Sequence, residues 1–214
     1  MTDDFAPPTV AWRGAEDPAA PLVVLLHGRG SDERDIIALA DHLPEGPAYA
    51  AVRAPIAEGG GYAWFANRGI GRPVAESLAD TMAWFRHWQD QHVPAGRPLV
   101  LVGFSGGAAF AGGLLLSDPE RYVGAALLHG TLPFDAGLDV GPGRLTGTPV
   151  LVAQGDQDTV IPRELLDRTW DYLTGPSRAV AETFRDPGGH GITPATVAVL
   201  ADWVARRTSA GAGD

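Results

Sequence analysis

The chain contains no cysteine and no lysine. The absence of cysteine excludes disulfide bonds, thiol nucleophiles and cysteine-ligated zinc. All 16 basic residues are arginines, they are scattered along the chain, and the net charge is −10. Because binding to nucleic acid or to an anionic membrane needs clustered positive charge, we expect neither as a partner.

Long hydrophobic runs are also missing. The longest clean ones, such as LVVLL, are far too short to span a bilayer, so we expect no integral membrane association. The N-terminal segment MTDDFAPPTV is acidic and has no apolar centre, which is not typical of a signal peptide and favours a cytoplasmic location. A length of 214 residues predicts a single domain over 1–214, with a frayed tail at about 208–214.

Apolar runs that predict buried strands alternate with helical patterns along the chain. The runs include PLVVLLH, AYAAV, PLVLVGF, YVGAALLHG, TPVLVAQG and RAVAETF. Helices are predicted over 33–43, over 74–92, and from the end of PLVLVGF to about Ser117. A fourth helix is predicted to begin at Pro162, and a last one to follow Thr193 as its cap. This order predicts an α/β fold with a mostly parallel sheet covered by helices on both faces. The glycine-rich residues 58–73 are predicted to be the longest irregular segment.

Ser105 lies in the sequence LVGFSGGAAF, between a predicted strand and a predicted helix. A tight strand-to-helix turn brings the residues two before and two after the serine close together. Gly103 and Gly107 therefore have a steric reason to be glycine, and the turn lifts the serine hydroxyl above the sheet. The pattern predicts that Ser105 is a nucleophile, and the alternative is a simple packing turn.

A serine nucleophile needs a base, and His190 is the best candidate among six histidines. It lies in DPGGHGITP, between the last predicted strand and the last helix, where flanking glycines allow close approach. His129, at the end of another strand, is the one rival. His42, His87 and His92 are predicted to lie at helix ends or on the surface.

The base in turn needs a carboxylate, and QGDQDTVIP offers Asp156 and Asp158. The order serine, aspartate, histidine is the one expected for this architecture. An oxyanion hole is predicted from the backbone N–H groups of Arg29, in LLHGRGSD, and Gly106, so that substitution of the Arg29 side chain need not abolish it. His27 is predicted to brace this loop.

These segments together resemble the phospholipase/carboxylesterase family of α/β-hydrolases, which includes acyl-protein thioesterases and small bacterial carboxylesterases. The resemblance extends over nearly the whole chain and includes APIAEGGGYAWF. It selects Asp158 over Asp156 as the acid, and it implies an α/β-hydrolase fold with no cofactor and no metal ion. The chain departs from the family pattern at three positions. Gln154 stands where relatives usually carry His, and Gly106 stands where they often carry Gln. His129 stands where they usually carry Ser.

About 18 residues separate His129 from Thr148, too few for a helical cap, so the site is predicted to be open. Aromatic and apolar residues near it predict the substrate-binding walls, namely Tyr62, Trp64, Phe65, Leu132 and Phe134. The leading hypothesis is a serine carboxylesterase acting on small uncharged acyl or aryl esters. The alternatives are an acyl thioesterase, a lysophospholipase or small serine peptidase on the same scaffold, and a non-catalytic ligand-binding protein. The sequence does not decide the length of the acyl chain, whether the protein forms a homodimer, or whether residues 58–73 close over the substrate.

Overall fold

The computed structural model describes residues 5–209 and contains a seven-stranded sheet. The strands of the chain are β1 (Val10–Gly14), β2 (Leu22–Leu26), β3 (Ala48–Val52), β4 (Ile56–Glu58), β5 (Gly61–Ala63), β6 (Leu99–Phe104), β7 (Gly124–Leu128), β8 (Pro149–Gly155) and β9 (Val180–Asp186). The large sheet has the order β1-β3-β2-β6-β7-β8-β9, and all neighbouring pairs are parallel except β1 with β3. The predicted mostly parallel sheet is confirmed.

Residues 5–209 contain five α-helices, of which the last follows the final strand. They are α1 (Glu33–Ile37), α2 (Ala75–His92), α3 (Gly106–Ser117), α4 (Arg163–Thr174) and α5 (Pro194–Thr208), with short 3-10 helices over Ala38–His42 and Pro119–Arg121. The predicted helix over 33–43 is therefore split into an α-helical and a 3-10 turn. Thr193 caps α5 as predicted, since its side chain accepts a hydrogen bond from the N–H of Thr196.

Two hydrophobic clusters lie on opposite faces of the sheet, because the strand side chains alternate between the faces. In β2, Leu22, Val24 and Leu26 face one cluster, which α2 and α3 complete, whereas Val23 and Leu25 face the other with α1 and α5. Every residue of β2 is fully buried. This two-sided burial explains why the strand is apolar at every position. Because neighbouring strands of the large sheet from β3 to β9 are parallel, their carboxyl ends lie along one edge of the sheet.

Three details differ from the sequence predictions. The start of the glycine-rich segment is regular, because β5 pairs with β4 in an antiparallel hairpin. Pro162 is the residue before α4 rather than its first residue, with an extended ψ of 133°. Helix α5 continues through Thr208, and residues 210–214 of the predicted tail lie outside the described residues.

No helix within residues 5–209 has both the length and the apolar character that a membrane span requires.

Candidate active site

Ser105 occupies the sharp turn between β6 and α3. Its φ of 55° and ψ of −114° are strained for a non-glycine residue. The turn depends on two glycines, because a Cβ added to Gly103 would lie 2.2 Å from the Gly107 carbonyl oxygen, and one added to Gly107 would lie 2.1 Å from that of Leu26. The predicted steric need for glycine at these positions is present in the structure. The hydroxyl is thereby placed at the N-terminus of α3, where the helix dipole favours negative charge.

His190 reaches Ser105 from the loop between β9 and α5. Its Nε2 lies 2.9 Å from Ser105 Oγ, and its Nδ1 lies 2.7 Å from Asp158 Oδ2. The glycines around it allow its loop to lie close to the end of β8, where the Gln157 N–H donates to the Gly188 carbonyl. The structure therefore brings together the three side chains predicted from three distant loops.

Asp158 is held in place by its own backbone loop. Its side chain is fully buried, and its Oδ1 accepts hydrogen bonds from the N–H groups of Val160 and Ile161 at 2.9 and 3.0 Å. Burial alone would raise the pKa of this carboxyl, but the hydrogen bonds from His190, Ile161 and Val160 outweigh it and lower the pKa. Asp158 is therefore an ionised acceptor for His190 at neutral pH.

Asp156, the alternative acid, lies elsewhere. Its side chain is half exposed and its Oδ1 is 3.6 Å from the Arg185 guanidinium. The two aspartates are separated by one residue, yet only Asp158 faces His190. The geometry selects the same aspartate as the family resemblance.

The N–H groups of Arg29 and Gly106 lie beside the Ser105 hydroxyl turn. A Cβ placed on Gly106 would be 3.3 Å from the Arg29 backbone nitrogen, so the two segments are in close contact. Within residues 5–209, neither N–H has a hydrogen-bond acceptor. Two unpaired donors next to a serine hydroxyl are what a developing oxyanion requires.

His27 braces the loop that carries Arg29, as predicted. Its Nδ1 is 2.7 Å from the Gly28 carbonyl oxygen, and its Nε2 accepts from the N–H of Ala54 at 3.0 Å. These partners require a neutral ring protonated on Nδ1. Burial is the main cause that lowers the pKa of His27, which agrees with this neutral form.

A cavity of about 550 Å³ opens beside Ser105 and His190. Of the predicted wall residues, Trp64, Phe65 and Leu132 line it. Further lining residues, which the sequence did not indicate as part of the site, come from α1 and from the loops after β5, β7 and β8: Ile36, Asn67, Ile70, Thr131 and Ile161. Their shared position after carboxyl ends of strands is the signal that could have found them.

The prediction that Tyr62 and Phe134 line the substrate site is not matched by their positions. The ring of Tyr62 packs under the Arg53 guanidinium, 4.7 Å away, and its hydroxyl accepts a hydrogen bond from Arg53. Phe134 packs edge-on against Tyr172 and beneath Arg168. Each ring is therefore occupied by a partner from another element, and neither is among the cavity residues.

His129, the rival base, lies beneath the site rather than beside the serine. Its ring is fully buried, 6.2 Å from the His190 ring and 6.0 Å from Phe104. Neither ring nitrogen has a hydrogen-bond partner among the described residues. Burial is the main cause that lowers its pKa, and the neighbouring His190 adds to it. The structure therefore places His129 as a buried neighbour of His190 with no hydrogen bond to Ser105.

Within the described chain, no group of three or more His, Asp or Glu side chains is arranged to hold a metal ion. The one carboxylate among the cavity residues, Asp35, accepts a hydrogen bond from Ser31 Oγ.

Known proteins resemble this chain in both sequence and fold. The family model described as Phospholipase/Carboxylesterase matches residues 11–206. The chain is 26% identical over 187 residues to the Bacillus subtilis protein MhqD, covering 85% of this chain and 91% of MhqD. A Bacillus cereus carboxylesterase structure has a TM-score of 0.81 at 23% identity, covering 94% of each chain. The Zea mays acyl-protein thioesterase 2 structure has a TM-score of 0.73 at 21% identity, covering 94% of this chain and 99% of that one. The fold is therefore that of the α/β-hydrolases, and the chain belongs to the phospholipase/carboxylesterase family.

Proposed function

We propose that this chain is a serine carboxylesterase that hydrolyses small, uncharged acyl or aryl esters through a covalent acyl-enzyme. The observation that carries the proposal is the continuous hydrogen-bonded series from Ser105 through His190 to Asp158, with distances of 2.9 and 2.7 Å. Such a series supplies a nucleophile, a base and an orienting carboxylate in the geometry that acyl transfer needs.

In the acylation step, Ser105 Oγ attacks the carbonyl carbon of the ester while His190 Nε2 takes the hydroxyl proton. Asp158 accepts the hydrogen bond from His190 Nδ1 and stabilises the imidazolium that forms. The negative charge on the substrate oxygen is directed at the N–H groups of Arg29 and Gly106. The carbon–oxygen bond to the alcohol then breaks, and the alcohol leaves with the proton from His190.

In the deacylation step, a water molecule attacks the acyl carbon of the Ser105 ester. His190 takes a proton from this water and returns it to Ser105 Oγ as the acyl–enzyme bond breaks. The products are a carboxylic acid and a free enzyme with its original protonation. The same two N–H groups serve both steps, because both pass through a tetrahedral oxyanion.

The cavity favours small uncharged substrates. Its volume of about 550 Å³ is in the range of small-molecule sites. Among its lining residues, Arg29 is the single arginine, and Glu58 neutralises its charge, whereas Asp35 contributes a carboxylate. A substrate with a phosphate or carboxylate near the scissile bond would therefore meet no free cation there. The described stretch 129–148 contains no helix, which leaves the cavity open to solvent.

A fluorophosphonate probe tests the nucleophile directly. We expect stoichiometric labelling of the wild type at Ser105, no labelling of Ser105→Ala, and full labelling of Ser209→Ala, whose serine lies at the end of α5. The Ser105→Ala variant should lose at least about 10³-fold in turnover. A folded wild type that the probe does not label would refute the proposal.

A substrate panel separates esterase from thioesterase or peptidase activity on the same serine. We expect kcat/KM to be highest for short p-nitrophenyl esters and to fall for acyl thioesters and peptide anilides. Esters graded in acyl length then locate the capacity of the cavity. A preference for acyl thioesters over oxygen esters by more than about tenfold would assign the protein to the thioesterases instead.

A further inference from the structure

The guanidinium of Arg29 joins three segments next to the proposed oxyanion hole. Its Nε donates to Glu58 Oε1 at 2.6 Å and its Nη2 donates to Glu58 Oε2. Its Nη1 donates to the backbone carbonyl oxygen of Phe65 at 3.0 Å. The residue whose N–H faces the substrate oxygen is thus attached through its side chain to the β4–β5 hairpin and to the segment after it.

The backbone of the same loop is fixed on both sides of Arg29. Before it, His27 is held by the N–H of Ala54. After it, the Gly30 N–H donates to the Tyr62 carbonyl at 2.9 Å, and the Tyr62 N–H donates to the Ser31 carbonyl at 3.0 Å. The side chain supplies the third attachment, at the residue that carries the functional donor.

We propose that Arg29, through its side chain, is a positioning residue for the hydrolytic reaction. Its contacts with Glu58 and the Phe65 carbonyl fix the direction of its own backbone N–H toward the oxyanion, and so couple the β4–β5 hairpin to the rate of the chemical step. This inference rests on the proposed function. It also revises the expectation that the Arg29 side chain is dispensable, since the guanidinium is engaged at three nitrogens.

The exposure of the ion pair separates this role from a stabilising one. The side chains of Arg29 and Glu58 are 34% and 43% exposed, and pairs of this kind add little to global stability. Glu58 also balances the charge of the guanidinium, and three of its five N–H donors already face Glu58 and Phe65, which leaves it a weak site for a substrate anion. Loss of the pair is therefore expected to change the rate constant for chemistry, and neither substrate affinity nor the melting temperature.

The test compares Arg29→Met, Glu58→Gln and the double variant in the full-length chain. Loss of a whole oxyanion donor costs about 10²–10³-fold in kcat, so a donor that is present but poorly directed is expected to cost about 10-fold. We expect this loss in kcat for Arg29→Met, with KM within about twofold of wild type. The Ki of a trifluoromethyl ketone, which forms a tetrahedral adduct, should rise by the same factor. The double variant should match Arg29→Met alone, since both changes break one connection.

Arg206→Met is the matched control, because Arg206 likewise pairs with a partly exposed glutamate, Glu182 in the edge strand β9. It should leave kcat and the ketone Ki unchanged. If Arg29→Met folds poorly, Glu58→Gln alone, on the exposed hairpin, should still show a kcat loss of several fold. The inference is overturned if both variants stay within twofold of wild type in kcat and ketone Ki, or if the loss appears in KM alone. A wild type without fluorophosphonate labelling or turnover would instead overturn the proposed function.

Discussion

Gly107→Ala should be among the most damaging single-methyl additions in this chain. The new Cβ would lie 2.1 Å from the Leu26 carbonyl oxygen and 2.7 Å from that of His27. Both oxygens belong to backbone at the end of β2, in the centre of the sheet, so neither can move as a flexible side chain would. Relief requires a shift of about 1 Å between α3 and the sheet, which we expect to cost about 3 kcal/mol in free energy of unfolding.

Urea unfolding measures this cost. For an m-value of about 3 kcal/mol/M, the midpoint should fall by about 1 M. Gly191→Ala is the matched control, since its Cβ would meet no atom within 4 Å and its φ is not in the left-handed region; its midpoint should stay the same or rise slightly. The same displacement moves the Ser105 turn, so kcat of the folded Gly107→Ala protein should fall as well. A midpoint within about 0.2 M of wild type would refute the steric reasoning.

Two further predictions concern the charges around the site. Asp158→Asn should lower kcat by about 10³–10⁴-fold, because an amide cannot hold the His190 tautomer that the serine needs, whereas Asp156→Asn should stay within about twofold; comparable losses in both would contradict the assignment. Because burial lowers the pKa of His27 and His129, the unfolded chain binds protons below about pH 6.5 that the folded chain does not. Stability should therefore fall as the pH drops from 7 toward 5, by up to about 1.4 kcal/mol per pH unit for each histidine. His129→Asn, which tolerates the positive φ of this position, should remove about half of that slope in urea titrations at each pH, and an unchanged slope would contradict the prediction.

The parallel sheet and the positions of the three site loops could be predicted because both follow from short stretches of sequence, namely the apolar strands and the loops after them. A strand buried on both faces must be apolar at every position, as β2 is. The carboxyl ends of such strands share one edge, so the loops carrying Ser105, Asp158 and His190 had to lie near one another. The direction of the strands is therefore enough to predict that these three loops meet.

The expectations that the structure does not match concern very short elements or contacts between distant elements. Strands β4 and β5 have three residues each, and the glycines between them favour a loop in any local interpretation. The rings of Tyr62 and Phe134 had no local sign of Arg53 or Arg168, their actual partners. The contacts of the Arg29 side chain could not be predicted for the same reason, since Glu58 lies 29 residues away.

The arrangement of the site also has a consequence for refolding. His190 and Ser105 are 85 residues apart in the chain, and their strands, β9 and β6, are separated in the sheet by β7 and β8. Closing loops of that length delays these contacts relative to the formation of single helices. Recovery of turnover after dilution from denaturant should therefore follow assembly of this whole half of the sheet. During refolding, the recovered enzymatic activity should therefore give a lower fraction of native molecules than the helical circular dichroism signal does.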